Sequence, residues 1–313
     1  MVGAQGERGG IERRWRPDWP CPAAQILLVH RHGGGDPTYR LSGSTHWRAI
    51  RTPDGPATLR VRPRPSLGEI ETEAWGSGAG WILDRVPALL GAEDDLTGFE
   101  PRHPVLEQAL RLHPHWRIGH SSLVLEALVP AVIEQKVTGQ EAFAGFRQLV
   151  VKYGEPAPGP VADLHLRLQP TADELRQVPS WDWLQLHIDP ARSRTLVNAA
   201  RVAGSLERTT GLDHAEADRR LRSLPGIGVW TSAEVRVRAH GDPDAVSFGD
   251  YHVAKDIGWA LTGSEIDDGE LEALLEPWRG HRHRVQALVG LAGLHRPRRG
   301  PRMAPRTHLP RPF

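Results

Sequence analysis

The segment 221–233 holds the residues best suited to binding chemistry, because Pro225, Gly226 and Gly228 interrupt two predicted helices. Glycine permits positive φ and lets the backbone approach another group closely. A helix that begins at Gly228 would present free N–H groups at the positive end of its dipole, which suits a phosphate. An ordinary helical hairpin with a glycine-rich turn explains the same residues equally well. Three backbone carbonyls near the turn are candidate ligands for a monovalent cation: those of Arg222, Leu224 and Ile227.

Asp250 supplies the one carboxylate whose position relative to this hairpin is informative. It stands ten residues beyond the predicted end of the second helix, in the segment 247–255. One interpretation is that Asp250 caps the helix that follows. Capping is compatible with chemistry, because a carboxylate at a helix N-terminus stays ionised.

The secondary structure that must position these groups is predicted to change from strands to helices along the chain. Between residues 21 and 75, short apolar or partly alternating runs are separated by turn residues, which predicts strands. These runs lie at 26–30, 38–41, 46–51 and 57–63, and a helix is predicted at 81–90.

Helical spacing dominates after about residue 100. The run 121–135 is apolar nearly all round, which is typical of a buried helix. Thr171 and Glu174 form a capping box, and Asp189-Pro190 marks the start of a helix that reaches residue 206. Other helices are predicted at 141–153, 215–224, 229–240, from Asp250 onward, and at 271–294.

The predicted fold class is therefore α+β, with a mostly helical body and a small mixed α/β domain at the N-terminus. The predicted organisation is a disordered tail at 1–20, the small domain at 21–105, the helical body at 106–294 with its hairpin at 215–240, and a basic, proline-rich tail at 295–313.

Composition excludes several classes of protein. The 313 residues are 39% apolar and 25% charged, as in ordinary globular proteins. No apolar run approaches the roughly 18 residues of a membrane helix, and no signal-peptide pattern opens the chain, so a cytoplasmic, nucleoid-associated location is expected. The single cysteine, Cys21, excludes an internal disulfide and a four-cysteine metal site.

The charge distribution does not predict a broad basic surface. The net charge is +1, but the last 19 residues hold six arginines and no acid, which leaves −5 for the rest. Nucleic-acid binding would therefore depend on local geometry. The chain has only three lysines, Lys136, Lys152 and Lys255, so few are available for Schiff-base chemistry.

The hairpin 224–228, followed by Asp250-Tyr251, resembles the helix-hairpin-helix DNA glycosylase superfamily, and in particular the bacterial alkylation-inducible 3-methyladenine-DNA glycosylases of type II. The resemblance covers roughly residues 100 to 290. It also includes Gln135, Trp230 and Pro277-Trp278-Arg279, while the N-terminal strands fit the small extra domain of that family.

The resemblance implies that Asp250 is the catalytic carboxylate, which stabilises an oxocarbenium-like sugar and orients or deprotonates water. Trp230 stands where bifunctional members carry a lysine, which implies a monofunctional enzyme. Trp230 and Tyr251 are candidate base-pocket residues, since aromatic rings attract a cationic base, although core packing is the alternative for Trp230 among 11 tryptophans. DNA contacts are expected from Gln135, Lys136, Gly226, Ile227, Gly228 and Thr231.

The sequence departs from the family pattern at three positions. Lys136 occupies the position of the apolar wedge that fills the gap left by a flipped base. Glu234 stands where a pocket aromatic is expected, and Ala287 replaces a stacking tryptophan. Base specificity therefore cannot be transferred from the family.

Two motifs are interpreted as having no catalytic role. The segment 32–35 (His-Gly-Gly-Gly) is similar to an esterase oxyanion loop, but no Gly-x-Ser-x-Gly segment accompanies it, so a flexible turn is expected. The segment 281–284 (His-Arg-His-Arg) is expected to form a solvated or DNA-facing surface rather than a metal site.

The sequence therefore favours a monofunctional DNA glycosylase that flips and excises alkylated purines from double-stranded DNA and leaves an abasic site. No redox or nucleotide cofactor and no membrane partner are expected. The protein is expected to be a monomer. Two alternatives stay open: a non-catalytic helix-hairpin-helix protein that binds damaged DNA, and a glycosylase for a deaminated or oxidised base.

Overall fold

The computed structural model describes residues 9–297, and residues 1–8 and 298–313 lie outside the described part. Its N-terminal region is built on one antiparallel sheet with the strand order β1-β5-β4-β3-β2. The strands are β1 (Ile11–Trp15), β2 (Tyr39–Ser42), β3 (Thr45–Thr52), β4 (Gly55–Arg64) and β5 (Glu69–Trp75).

Helices α1 (Ala23–Leu27) and α2 (Ala79–Leu89) cover one face of this sheet. Leu27 and Ile82 are almost fully buried there against Leu59 of β4. The opposite face is covered from the helical body, because Val161 and Leu168 pack in one cluster with Ala49 of β3. Each face of the sheet is thus partly buried, and the second face packs against the helical body.

The body contains twelve α-helices within the described residues, several of which are single turns. They are α3 (Pro104–Leu112), α4 (Val124–Ile133), α5 (Gly139–Tyr153), α6 (Ala172–Gln177), α7 (Ser180–Gln185), α8 (Pro190–Arg201), α9 (Ala203–Glu207), α10 (His214–Arg222), α11 (Val229–Val235), α12 (Val253–Thr262), α13 (Asp268–Leu275) and α14 (Arg282–Leu291). The predicted α+β class is confirmed.

Two apolar clusters organise the body. Helix α4 is buried on all sides at the centre of the first, against α5, α8 and α11. The second cluster joins α3 to α12, α13 and α14. The predicted domain boundary at residue 105 falls inside α3, which packs as a unit with these C-terminal helices because Leu106 and Ala109 are buried among them.

The prediction of a disordered tail at residues 1–20 is wrong in part, because residues 11–15 form β1. This strand lacks a clear polar and apolar alternation, so its sequence does not mark it. Its stability comes from pairing with β5, from the Thr72 hydroxyl that donates to the Arg13 carbonyl (3.0 Å), and from an ion pair between Arg13 and Asp84. The remainder of the predicted tail, residues 1–8, lies outside the described residues.

Two further local predictions in the small domain are corrected. The run 26–30 is not a strand but the end of α1 and a following 3-10 turn, since a short apolar run does not distinguish the two states. Strand β5 was not predicted, because its three glutamates are unusual in strands. They are accommodated by cross-strand arginines, as in the ion pair of Glu73 with Arg60 (2.6 Å).

The C-terminal helices are shorter than predicted. The helix expected at 271–294 is divided at Pro277, which cannot continue the backbone hydrogen-bond ladder. The helix expected from Asp189 to residue 206 ends at Arg201. The first residues of the predicted basic tail are held by ion pairs: His295 lies 3.0 Å from Asp256, and Arg296 pairs with Glu265 (2.7 Å). Residues 298–313 lie outside the described part.

Among residues 9–297, none of the helices has both the length and the apolar character that crossing a bilayer requires.

Candidate functional site

The turn between α10 and α11 is closed by two backbone hydrogen bonds, each between residues three positions apart. The Leu224 amide donates to the Leu221 carbonyl (3.2 Å), and the Ile227 amide donates to the Leu224 carbonyl (3.1 Å). Gly226 adopts φ = +93°, and a Cβ atom there would lie 2.0 Å from Oγ1 of Thr195. Both the conformation and the close approach therefore require glycine at this position.

Gly228 is the residue that precedes α11, and it is exposed with open space around it. Its carbonyl accepts the first bond of the helix, from the Ser232 amide (3.0 Å). No side chain of the described residues caps this end of α11. Helix α11 runs directly into a π-helical turn at Arg236–His240, so the second arm of the hairpin is longer than α11 itself.

Asp218 holds the two arms of the hairpin together. Its Oδ1 accepts a hydrogen bond from the Ser232 hydroxyl (2.7 Å) and lies 3.4 Å from the Arg236 guanidinium, while Oδ2 pairs with Arg222 on its own helix (3.2 Å). The angle between the arms is therefore fixed by one carboxylate that contacts both of them.

Gln135 connects the end of the buried helix α4 to the hairpin turn. Its side-chain amide donates to the Gly226 carbonyl (2.9 Å) and to Oγ1 of Thr231 (2.8 Å). The side chains of Thr231 and Ile227 are buried. Any DNA contact by these two residues would therefore have to come from the backbone, and their predicted role in DNA binding stays a prediction.

Lys136 lies at the tip of the turn between α4 and α5, fully on the surface. It adopts φ = +55°, in the left-handed region that a non-glycine residue enters at a cost. Thr138 then begins α5 with a capping box that includes Glu141. Lys136 is therefore an exposed residue in the turn between the two helices.

Asp250 is half-buried and has two different oxygen environments. Its Oδ1 accepts hydrogen bonds from the amides of His252 (2.7 Å) and Val253 (3.2 Å), so it caps α12 as expected. Its Oδ2 makes no hydrogen bond with the described residues. One oxygen thus anchors the carboxylate, while the catalytic role of Asp250 stays a prediction.

Ser247 ties the loop that carries Asp250 to the second arm of the hairpin. The Asp250 amide donates to the Ser247 carbonyl (3.1 Å), and the Ser247 hydroxyl donates to Oε1 of Glu234 on α11 (2.5 Å). Gln286 on α14 completes the connection, since its Oε1 accepts from the Ser247 amide (3.1 Å) and its Nε2 donates to the Ser247 hydroxyl (3.1 Å).

Glu234 and Gln286 both line a cavity of about 340 Å³, the hairpin cavity, which lies between α1, α11, α14 and the loop 116–119. Burial raises the pKa of Glu234, but the Arg238 guanidinium at 2.5 Å and the Ser247 hydroxyl outweigh it, so the net shift is downward. Ala287 lines the same cavity. Glu234 and Ala287 are two of the departures from the family pattern, and the sequence does not predict the network around Glu234.

His283 is another polar residue that lines the hairpin cavity. Burial lowers its pKa to about 4, so the imidazole is neutral at physiological pH. Its Nδ1 is buried without a hydrogen-bond partner among the described residues. The wall of the cavity therefore holds a neutral imidazole as well as a fixed carboxylate.

Trp230 and Tyr251 line neither the hairpin cavity nor the second cavity described below. Trp230 is half-buried, whereas Tyr251 is 69% exposed. The Tyr251 ring lies 3.8 Å from the Lys255 ammonium and 5.7 Å from the Arg296 guanidinium. Hydrogen bonding by Arg296, together with these positive charges, lowers the pKa of Tyr251. Its role in a base pocket stays a prediction.

The segment 281–284 is not the solvated surface that its sequence predicts. Arg284 is 1% exposed, and its guanidinium makes two hydrogen bonds to Asp94, at 2.9 and 2.6 Å. Arg282 pairs with Asp244 (2.5 Å). These arginines face inward because buried carboxylates from distant segments compensate their charge, which the local sequence does not reveal.

A second cavity, of about 230 Å³, lies where the sheet meets the helical body, and it was not predicted. Glu207 and Glu126 line it, and burial raises the pKa of both carboxyl groups. Glu207 accepts hydrogen bonds from the amides of Val124 and Leu125, both at 2.8 Å, and so caps α4 from another helix. The segment 32–35 borders this region, where His32 lies 3.1 Å from Glu134.

The predicted cation ligands are backbone carbonyls, and a cation bound to them stays a prediction. The Leu224 carbonyl already accepts the Ile227 amide, which leaves one of its lone pairs available. No cluster of three His, Cys, Asp or Glu side chains suited to a metal occurs in residues 9–297.

The fold defined by this sheet, helical body and hairpin is that of the helix-hairpin-helix DNA glycosylases, as the resemblance predicted. The 3-methyladenine DNA-glycosylase from Archaeoglobus fulgidus superposes with a TM-score of 0.75 at 17% identity, covering 88% of this chain and 97% of that protein. The 8-oxoguanine glycosylase/lyase of Clostridium acetobutylicum superposes with a TM-score of 0.68 at 12% identity, covering 91% and 97%. At such identities the similarity establishes the fold alone.

A curated relative from Mycobacterium tuberculosis is described as a probable bifunctional transcriptional activator/DNA repair enzyme AlkA. It is 30% identical over 187 residues, which are 57% of this chain and 36% of the relative. The chain thus matches about a third of the length of that curated protein. No protein-family model matches the chain.

Proposed function

We propose that this protein is a monofunctional DNA N-glycosylase of base excision repair, which flips an alkylated purine of the 3-methyladenine type out of double-stranded DNA and hydrolyses its glycosidic bond. The observation that supports this most strongly is Asp250, whose Oδ1 accepts from two backbone amides at the start of α12 while Oδ2 has no partner among the described residues. The relatives named above support the class of enzyme.

The proposed chemistry needs one carboxylate. As the bond between C1′ and the base nitrogen breaks, its electron pair leaves with the cationic base, which departs as a neutral molecule. Positive charge builds on the sugar, and the ionised Oδ2 of Asp250 stabilises it. Water then adds to C1′ and loses a proton to Asp250 or to solvent, which leaves an abasic site.

Binding of DNA in this proposal uses the hairpin and the turn at Lys136. The exposed, uncapped backbone at Gly228 would meet a phosphate, and the Lys136 ammonium would lie at the duplex near the flipped nucleotide. Gln135 would act indirectly, because its amide is already committed to Gly226 and Thr231. A monovalent cation on the carbonyls of Arg222, Leu224 and Ile227 would reinforce the turn, and the protein would act as a monomer.

The test uses duplexes that each carry a single alkylated base, with base release measured for the wild type and for Asp250→Asn. We expect release by the wild type and a loss on the order of 10²-fold or more in the variant, because an amide carries no charge to stabilise the sugar. DNA binding should persist in both proteins. Binding without release by either protein would support the alternative of a non-catalytic DNA-binding protein, and equal release by both would exclude the proposed role of Asp250.

A further inference from the structure

The hairpin cavity contains a carboxylate that is fixed before any ligand enters. Oε1 of Glu234 accepts from the Ser247 hydroxyl (2.5 Å) and Oε2 accepts from Arg238 (2.5 Å). An ionised carboxylate has about four acceptor positions, so roughly two remain for a ligand. Because both oxygens are held, the direction of the remaining acceptor positions is set by the protein.

The groups that hold Glu234 are themselves held. The Arg238 guanidinium also donates to the Val29 carbonyl (3.1 Å) and to the backbone carbonyl of Glu234 (3.0 Å). Ser247 is bound by Gln286 through both its amide and its hydroxyl. A preorganised polar group of this kind discriminates between ligands, since a poorly matched partner leaves it without its hydrogen bonds.

The charge of the carboxylate is compensated by Arg238, and the neighbouring His283 is neutral. A cationic ligand therefore meets a fixed pattern of hydrogen-bonding groups rather than an excess of negative charge. His283 lines the same cavity without adding a charge. Hydrogen-bond pattern, more than net charge, should decide what this cavity binds.

We propose that the hairpin cavity selects purines whose Watson–Crick edge presents two adjacent N–H donors, as guanine and its alkylated or oxidised derivatives do, and that Glu234 is the specificity-determining residue. The guanine edge offers N1–H beside the 2-amino group, which matches two acceptor oxygens. The adenine edge offers the 6-amino group beside an unprotonated N1, whose lone pair would face the carboxylate. This inference rests on the proposed glycosylase activity, and among the alkylated purines it favours guanine derivatives over the 3-methyladenine type named there.

The first experiment compares 7-methylguanine and 3-methyladenine in otherwise identical duplexes, because both are cationic alkylated purines that differ in their base-pairing edge. Base release under single-turnover conditions is measured for the wild type, Glu234→Gln and the control Glu272→Gln, whose residue is exposed on α13. We expect Glu234→Gln to lower the single-turnover rate constant for release of 7-methylguanine by about tenfold or more, while the rate constant for 3-methyladenine changes less than about threefold. The control should change neither.

A second measurement uses only the wild type, in case Glu234→Gln does not fold. Free 7-methylguanine and free 7-methyladenine are titrated into the protein by calorimetry, and the guanine derivative should bind at least about tenfold more tightly. Equal affinities, or release of both lesions at a ratio that Glu234→Gln leaves unchanged, would overturn the role of Glu234 while leaving the glycosylase assignment intact. Release from neither lesion by the wild type would instead contradict the proposed function.

Discussion

The side-chain amide of Gln135 donates a hydrogen bond across 2.8 Å to Oγ1 of Thr231, which joins the end of α4 to the first turn of α11. A second hydrogen bond from the same nitrogen reaches the Gly226 carbonyl. One polar side chain from the buried helix therefore fixes the hairpin turn, although 96 residues separate it from Thr231.

Removal of this contact should weaken the hairpin. We expect Gln135→Ala to lower the free energy of unfolding by roughly 1–3 kcal/mol, because two acceptors lose their partner. Urea unfolding measures this change, and Gln140→Ala, at an exposed position on α5, is the matched control. Equal stability of the two variants would show that the hairpin does not depend on Gln135.

Lys136 should contribute to DNA binding through its charge. We expect Lys136→Ala to weaken binding to a lesion-containing duplex and to reduce the slope of log K against log salt concentration by about 1. Lys136→Arg should retain most of both properties. The placement of Lys136 at the DNA would be refuted by an affinity and a salt slope that the alanine variant leaves unaltered.

A lysine imine should not form during the reaction. Position 230 is tryptophan, and Lys255, which lies near Asp250 in the chain, has its ammonium against the Tyr251 ring at 3.8 Å. Borohydride treatment during base release should therefore trap no covalent adduct between protein and DNA. An adduct that disappears in Lys255→Ala would contradict the monofunctional assignment and identify the nucleophile.

Acid should destabilise the protein between about pH 6.5 and pH 4 through His240. Burial, aided by the nearby His214 and Arg236, lowers the pKa of His240 from 6.5 to about 4. As the pH falls through this window the unfolded chain binds a proton that the folded chain does not, so stability is lost. The contribution of His240 should amount to roughly 1–3 kcal/mol.

The measurement for His240 is urea unfolding at several pH values between 7 and 4. His240→Gln should show a shallower loss of stability with falling pH than the wild type. His115→Gln, at an exposed position, should follow the wild type. Parallel curves for the wild type and His240→Gln would mean that other groups cause the acid sensitivity.

Local sequence was sufficient for the parts of the site that depend on a few neighbouring residues. The glycine at position 226 and the capping boxes at Thr138 and Thr171 are visible as short patterns, although only the second box was predicted. Asp250 could be predicted as a helix cap, and it does cap α12. Turn and capping interactions involve residues only a few positions apart, so the local sequence is sufficient to predict them.

Strand β1 and Arg284 illustrate what local sequence concealed. The polar segment 11–15 becomes a strand only because β5 offers it an edge, and Arg284 is buried only because Asp94 meets it from a segment 190 residues away. A local pattern of charges predicts a disordered tail at 11–15 and a solvated surface at 281–284. The first prediction is wrong because strand pairing orders the segment, and the second is wrong because a distant carboxylate compensates the charge of Arg284.

By itself, the sequence determined the hairpin, the position of the acid after it and the helical character of the body. Only the tertiary structure decided that Glu234, Ser247 and Gln286, from three separate segments, converge on one cavity with a neutral His283. The physical reason is that backbone preferences act over neighbouring residues, whereas the shape, burial and proton affinity of a cavity arise from segments that packing alone brings together.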